Sequence, residues 1–280
     1  MIDISKGRYW DLPWSLISSC SRCSEGCRNC WALAMEKRFH KGIEGKIITH
    51  PERLSIPLKR KKPTVYAVWN DWCHEAVPFS LQHDILRTAR SCERHTFLLL
   101  TKRVNVLKKT HEEESTWSWP FWNLPNVFYG LTVCNQQEME DKSNDFFNVP
   151  GNKFMSLEPL LSKVIIPPWV IEKNLLSCVI CGGETGPGAR PTHPDWVRSV
   201  RDQCAAAEVP FFFKQWGEWV PGSLIAVARD TGNLQPILDA SPPRVWIHQW
   251  PDGLTSVRVG KKAAGRLLDG RTHNELPWVK

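Results

Sequence analysis

Four cysteines lie within eleven residues near the start of the chain, at Cys20, Cys23, Cys27 and Cys30. Clustered thiols in a chain without a disulfide framework are typical of a metal site. Three thiolates on one loop suit a [4Fe–4S] cluster with an open fourth iron. All four together suit tetrahedral zinc, which remains the alternative. We therefore expect residues 20–30, here named the cysteine loop, to bind a metal centre, with iron–sulfur as the first choice.

Two sets of three cysteines can be drawn from the cysteine loop. Cys23, Cys27 and Cys30 are separated by three and then two residues, which is the spacing of the radical-SAM cluster loop. Cys20, Cys27 and Cys30 form a wider set, so Cys27 and Cys30 are common to both. An open iron can chelate S-adenosylmethionine and, with one electron from a donor, cleave its sulfonium to a 5′-deoxyadenosyl radical. The sequence thus predicts a [4Fe–4S] cluster, S-adenosylmethionine and an electron donor.

Short apolar runs along the rest of the chain predict buried parallel strands. They span residues 65–69, 96–100, 127–131, 154–157, 178–181 and 210–213. Patterns typical of helices lie at 28–40, 79–91, 104–113, 135–147 and 194–207. Such alternation predicts an α/β fold with a full or partial parallel (βα) barrel of the radical-SAM type. Residues 16–19 are expected to form a first strand that leads into the cysteine loop.

The last part of the chain differs in composition. Residues 220–256 are rich in Pro and Gly and lack the alternating pattern. We therefore predict a barrel domain over residues 1–219 and a small, irregular C-terminal extension over residues 220–280.

Polar residues follow most of the predicted strands. In βα barrels the C-terminal ends of the strands form the active site, so these residues should converge beside the cysteine loop; ordinary polarity at strand ends is the alternative. The candidates for cofactor binding are Asn70, Asp71, Glu158, Gly182, Gly183 and Glu184. The candidates for acid–base catalysis are Asp71, His74 and Glu158.

Basic residues near the same strand ends predict contacts to a substrate phosphate. A solvated surface face is the alternative for all of them. The candidates are Lys102, Arg103, Lys214, Lys261, Lys262 and Arg266.

The composition is compatible with a nucleic-acid substrate. The formal net charge is +7 and the chain contains 15 Trp, which can stack on bases. The chain has no run of about 18 apolar residues of the kind that a membrane span needs. We expect a cytoplasmic protein, with DNA, RNA or a nucleotide as partner and no membrane.

Several motifs together resemble those of a known family, and they span residues 26–32, 71–78, 100–103, 156–160, 182–191, 211–217 and 259–266. The family is that of the phage and prophage three-cysteine-motif proteins, which are uncharacterised and similar to radical-SAM barrels. For a phage-encoded chain, the expected location is the host cytoplasm. The resemblance implies Cys20, Cys27 and Cys30 as ligands, since Cys23 stands where the family usually has another residue. It also implies that Gly182-Gly183-Glu184 is similar to the Gly-Gly-Glu element that meets the methionine amino group in radical-SAM enzymes. There the element follows the second strand; here it follows the sixth, so Asn70-Asp71 is its rival.

Three functions follow as hypotheses. The first is a radical-SAM-like enzyme that modifies or repairs a nucleic-acid base or nucleotide. The second is a radical-SAM enzyme that acts on a peptide or protein. The third is a zinc-containing nucleic-acid-binding protein without catalysis.

Overall fold

A large parallel sheet of seven strands, curled into a half-barrel, organises the protein. The computed structural model describes residues 2–39, 45–114, 122–225 and 246–279. Its strands are β1 (Leu12–Trp14), β4 (Val65–Val68), β5 (Thr96–Thr101), β6 (Val127–Thr132), β7 (Asn152–Leu157), β8 (Cys178–Gly182) and β9 (Phe211–Gln215). They lie in the order β1-β4-β5-β6-β7-β8-β9, and every neighbouring pair is parallel. The predicted α/β class and the partial barrel are therefore confirmed.

Helices connect the strands, as parallel pairing requires. Those at 79–91, 104–113, 135–147 and 194–207 are confirmed within a residue or two. Helix α3 buries Leu81, Ile85 and Ala89, which share one face at helical spacing. The helices are α1 (Trp31–Phe39), α2 (Ser55–Lys59), α3 (Phe79–Arg90), α4 (Val104–Glu114), α5 (Gln136–Asn148), α6 (Pro168–Glu172) and α7 (Pro194–Ala206).

The two faces of the sheet bury different sets of side chains, because successive residues of a strand point to opposite sides. Phe97 and Leu99 join the helices in the larger core. Leu98 faces the other way, into a smaller core that fills part of the concave side. Both ends of the chain contribute to this smaller core, since Trp278 Nε1 donates to the Tyr9 carbonyl at 2.8 Å.

The predicted first strand at residues 16–19 is wrong in its position. The first strand of the half-barrel is Leu12–Trp14, whose Trp14 pairs with Val68. After it the chain turns tightly, with the Leu16 amide donating to the Trp14 carbonyl at 3.0 Å. Residues 17–18 then form β2 (Ile17–Ser18), which pairs antiparallel with β3 (Ile48–Thr49) outside the large sheet. The cysteine loop therefore follows this small ladder rather than a strand of the half-barrel.

The C-terminal region forms a second, antiparallel sheet of three strands. These are β10 (Trp219–Pro221), β11 (Trp246–Gln249) and β12 (Thr255–Arg258), in the order β10-β12-β11. The end of the chain then returns to the half-barrel, where Asn274 bridges to Phe212. The division at residues 219 and 220 stays a prediction, and residues 226–245 of the predicted extension lie outside the described residues. No helix within the described ranges is long and apolar enough to cross a membrane.

Candidate functional site

A cavity of about 660 Å³ opens at the C-terminal ends of the parallel strands, beneath the cysteine loop. All four cysteines of the loop line it, together with most of the polar residues that the strand ends predicted. Those residues are Asn70, Asp71, Lys102, Arg103, Glu158, Gly183, Glu184, Lys214 and Lys261.

Four of the predicted residues do not line this cavity: Gly182, His74, Lys262 and Arg266. Gly182 ends β8, and its carbonyl accepts the Leu160 amide at 3.0 Å. Lys262 is exposed on a short helix, Lys261–Ala264. The Arg266 guanidinium donates to the carbonyls of Ile4 and Phe213, at 2.7 and 3.0 Å. Arg266 thus ties the two ends of the chain to β9.

Arg103 fastens the first half of the cysteine loop to the sheet. Its Nη2 donates to both the carbonyl and the hydroxyl of Ser21, each at 2.9 Å. Its Nη1 lies 2.9 Å from Asp71 Oδ2 and 3.7 Å from Cys20 Sγ. Because the side chain is buried and saturated by these groups, Arg103 positions the loop and is not open to a substrate phosphate.

Asp71 is also occupied by the protein itself. Its Oδ1 accepts from the Thr101 hydroxyl at 2.6 Å and from the Cys73 amide at 3.1 Å. Its Oδ2 accepts from Arg103 and from the Lys102 amide at 3.0 Å. These bonds join the ends of β4 and β5, so Asp71 fixes the relative position of these two strand ends beside the cavity.

His74 completes the first anchor of the loop. Its Nδ1 accepts from the Ala76 amide at 3.1 Å, which assigns the proton to Nε2 and makes Nε2 the donor to Ser21 Oγ at 2.8 Å. Burial and the nearby Arg103 lower the pKa of His74. The imidazole therefore adds a second hydrogen bond to the Ser21 hydroxyl, beside the one from Arg103.

Glu184 and Arg190 fasten the second half of the loop. Glu184 Oε1 lies 2.7 Å from Arg190 Nη2, and its Oε2 accepts from Asn29 Nδ2 at 3.0 Å. Arg190 Nη1 continues to Glu25 Oε1 at 2.9 Å. Burial raises the pKa of Glu184, but the hydrogen bonds from Arg190 outweigh it and leave the pKa below its usual range.

The middle of the loop rests on the end of β6. A Cβ on Gly26 would overlap Cys134 Sγ, so only glycine lets the loop approach this closely. Lys102 Nζ donates to the same sulfur at 3.3 Å. Burial acts against the charge of Lys102, but the thiols of Cys134 and Cys27 outweigh it and raise its pKa.

The four loop cysteines differ in exposure and charge. Cys27 is buried, Cys20 and Cys30 are half-buried, and Cys23 is exposed. A hydrogen bond from the Cys23 thiol, helped by Lys102, lowers the pKa of Cys27 to about 4, while the same bond raises the pKa of Cys23. Burial and Asp71 raise the pKa of Cys20. Cys27 therefore loses its proton more readily than an ordinary thiol, and both ligand sets face the same cavity.

The spacing of the thiols bears on which metal they fit. In the part of the chain that the structure describes, no three loop sulfurs lie within 4.8 Å of one another. Tetrahedral zinc with bonds of about 2.3 Å would bring its sulfurs to about 3.8 Å from one another. None of the three-sulfur sets could therefore hold a single zinc ion without the loop sulfurs moving closer together.

Glu158 is the carboxylate that faces the cavity with the fewest internal bonds. Its Oε1 lies 2.8 Å from Lys214 Nζ, and its Oε2 accepts from Ser156 Oγ at 3.2 Å. Burial lowers the pKa of Lys214, but Glu158 outweighs it and the pKa is raised. Burial, with Glu158, raises the pKa of Tyr9 beside this pair to about 12. Glu158 can therefore accept a hydroxyl or a cationic group of a ligand.

Tryptophans beside charged residues, such as Trp69, are candidates for base stacking from the sequence. The structure brings Trp69 together with Trp10 and Trp31 in a tryptophan wall along one side of the cavity, a grouping that the sequence did not predict. Two other tryptophans that stand beside charged residues, Trp72 and Trp216, are buried core residues. The signal for Trp10 was the nearby cation in Arg8-Tyr9-Trp10. For Arg190 and Cys134 no local signal exists, because their partners in the loop lie more than a hundred residues away.

The fold and the site together define an α/β half-barrel protein with a cysteine-lined cavity at the C-terminal edge of its sheet. The chain belongs to the family described as a protein of unknown function, DUF5131, which it matches over residues 5–277. No curated protein and no solved structure matches it. Membership of an uncharacterised family is confirmed, while the phage origin and the likeness to radical-SAM barrels stay predictions.

Proposed function

We propose that this protein is an iron–sulfur enzyme of the radical-SAM type that modifies or repairs a nucleic-acid base or a nucleotide. One observation carries the proposal. The cysteine loop and the polar strand ends line one shared cavity at the edge of the sheet where βα barrels place their chemistry. Cys27 and Cys30 would hold the cluster with Cys20, or with Cys23 in its place.

The residues present fit such a cluster. The thiolate is the form that binds metal, and the lowered pKa of Cys27 favours that form. Arg103 Nη1 lies 3.7 Å from Cys20 Sγ, and the charge of Lys102 helps to lower the pKa of Cys27, so both cations would offset the negative charge of the thiolates. When bound, the cluster would supply one electron to the sulfonium of S-adenosylmethionine.

The contacts also rank the residues proposed for S-adenosylmethionine. Glu184 is occupied by Arg190 and Asn29, and a Cβ at Gly183 would overlap the Trp216 carbonyl. Close packing thus explains why residue 183 is a glycine. Anchoring of the loop explains the role of Glu184. Glu158 faces the cavity and is the better group for a ribose hydroxyl or the sulfonium end. Asn70 also lines the cavity, with its Nδ2 donating to the Ile17 carbonyl at 2.7 Å.

The direct experiment is anaerobic reconstitution with iron and sulfide, then reduction in the presence of S-adenosylmethionine. We expect release of 5′-deoxyadenosine by the wild type and by Cys92→Ala, which removes a thiol distant from the cavity. Cys30→Ala should release none. A cluster-loaded, fully reduced protein that releases no 5′-deoxyadenosine would contradict the proposal, and a colourless protein with stoichiometric zinc would favour the zinc alternative.

A further inference from the structure

We infer that the substrate enters as an unpaired nucleic-acid strand, with a base against the tryptophan wall and its phosphates towards Arg8 and Lys261. The chemistry done on that base rests on the proposed function. Binding of the strand does not, because none of the residues that would hold it is a cysteine. Three observations carry the inference: the arrangement of the rings, the free cations beside them, and the size of the recess.

The tryptophan wall runs from the start of the chain to the cysteine loop. Trp69 makes a T-shaped contact with each neighbour: its ring centre lies 5.4 Å from that of Trp31, with the ring planes at 78°, and 6.0 Å from that of Trp10, with the planes at 84°. Trp31 directly follows Cys30 and is 52% exposed. Edge-to-face packing leaves ring faces uncovered, and a flat base can stack on them. A base on Trp31 would lie beside the proposed metal centre.

Two cations that form no ion pair with the described residues, Arg8 and Lys261, stand at the other end of the wall. The Arg8 guanidinium lies 5.8 Å from the Trp10 ring centre, and neither Arg8 nor Lys261 forms an ion pair with any part of the chain that the structure describes. Gly7 packs against the Lys214 carbonyl, which brings the start of the chain to the end of β9. Burial, together with the nearby charge of Lys214, lowers the pKa of Lys261. Arg8 and Lys261 are therefore placed to meet a polyanion.

The other cations of the cavity are already engaged. Lys102 donates to Cys134, and Arg103 is held by Asp71 and Ser21. Lys214 is paired with Glu158, and Lys6 with Asp3. The phosphate contacts thus move from the predicted Lys102 and Arg103 to Arg8 and Lys261.

The recess also selects the form of the nucleic acid. A cavity of about 660 Å³ can take a nucleotide but not a double helix. In a duplex the faces of the bases are covered by their neighbours, so none could stack on Trp31 without leaving the stack. An unpaired strand offers those faces at no such cost. A peptide could place an aromatic side chain there, but its backbone has no charge for Arg8 and Lys261.

The test is fluorescence anisotropy of a short labelled single strand, as DNA and as RNA, against the same sequence as a duplex, over a series of salt concentrations. Trp31→Ala should weaken single-strand binding about tenfold, since stacking on one aromatic residue is worth roughly that factor. Lys261→Ala should weaken binding and reduce the salt slope by about one. The matched controls are Trp246→Ala, an exposed tryptophan on β11, and Lys262→Ala, the exposed neighbour outside the cavity.

We expect both controls to bind like the wild type, and the single strand to bind more tightly than the duplex. Equal binding of duplex and strand, equal losses in the controls, or no binding of either form would overturn the inference. The measurement is made on iron-free and on reconstituted protein. Strand binding without any cluster chemistry supports the inference and contradicts only the proposed function. Cluster chemistry without strand binding supports the radical-SAM chemistry and overturns the inference.

Discussion

Arg103 and Asp71 form an ion pair with 2.9 Å between Nη1 and Oδ2, and both side chains are almost fully buried. The same guanidinium donates to Ser21, so one buried pair joins the ends of β4 and β5 to the cysteine loop. The position of the loop over the cavity therefore depends on this buried ion pair.

Removing the cation of this pair should destabilise the protein strongly. Arg103→Met leaves the Asp71 carboxylate buried without its counter-charge, and we expect the free energy of unfolding to fall by about 3–5 kcal/mol. Urea denaturation measures it. Lys108→Met, in the exposed Lys108–Asp145 pair, is the control and should have little effect.

A double-mutant cycle separates the pair from other losses. Arg103→Met combined with Asp71→Asn should recover part of the stability, because no unpaired charge remains. Strictly additive losses would show that the ion pair is not what holds these strand ends together.

Gly26 should tolerate no side chain while Cys134 keeps its sulfur. Gly26→Ala forces the loop away from β6, because the new Cβ overlaps Cys134 Sγ. Such overpacking costs about 1–3 kcal/mol, and we expect iron loading after reconstitution to fall with it. Adding Cys134→Ala removes the overlapping sulfur and should restore part of both. If Gly26→Ala alone loads iron like the wild type, the loop does not rest on Cys134 as described.

Lys153 should make the free energy of unfolding depend on pH above neutrality. Its side chain is buried at the start of β7, where Nζ donates to the carbonyls of Pro150 and Gly151 at 2.7 and 3.2 Å. Burial nevertheless lowers its pKa to about 7. Between that value and the ordinary lysine pKa of about 10.4, the unfolded chain binds more protons than the folded one, so stability rises with pH.

The variant Lys153→Met removes the free-energy cost of burying this ammonium group. We expect it to be more stable than the wild type by up to about 5 kcal/mol at pH values below 7, less whatever the two lost hydrogen bonds contributed. The advantage should shrink as the pH approaches 10. Urea denaturation at several pH values measures it, and a difference that stays constant or grows with pH would contradict the assigned burial of the charge.

The sequence predicted the strands and long helices because their apolar runs and periodicity are local properties of the chain. It also predicted that Asp71 and Arg103 lie at strand ends near the cysteine loop. The ion pair between Asp71 and Arg103 could not be predicted, because a position at the end of a strand does not show which side chain a charge will contact. The anchor from Glu184 through Arg190 to Glu25 joins residues far apart in the sequence for the same reason. The first strand was misplaced because two short extended segments on either side of a tight turn look alike in sequence.

Metal analysis of anaerobically purified protein tests the central claim most directly. We predict about four iron and four sulfide per chain, following the composition of a [4Fe–4S] cluster. Cys27→Ala and Cys30→Ala should lose both, Cys92→Ala should keep both, and of Cys20→Ala and Cys23→Ala only one should lose them, with Cys20 predicted from the family resemblance. Stoichiometric zinc without iron, or full iron content after the loss of Cys27 and Cys30, would contradict the account.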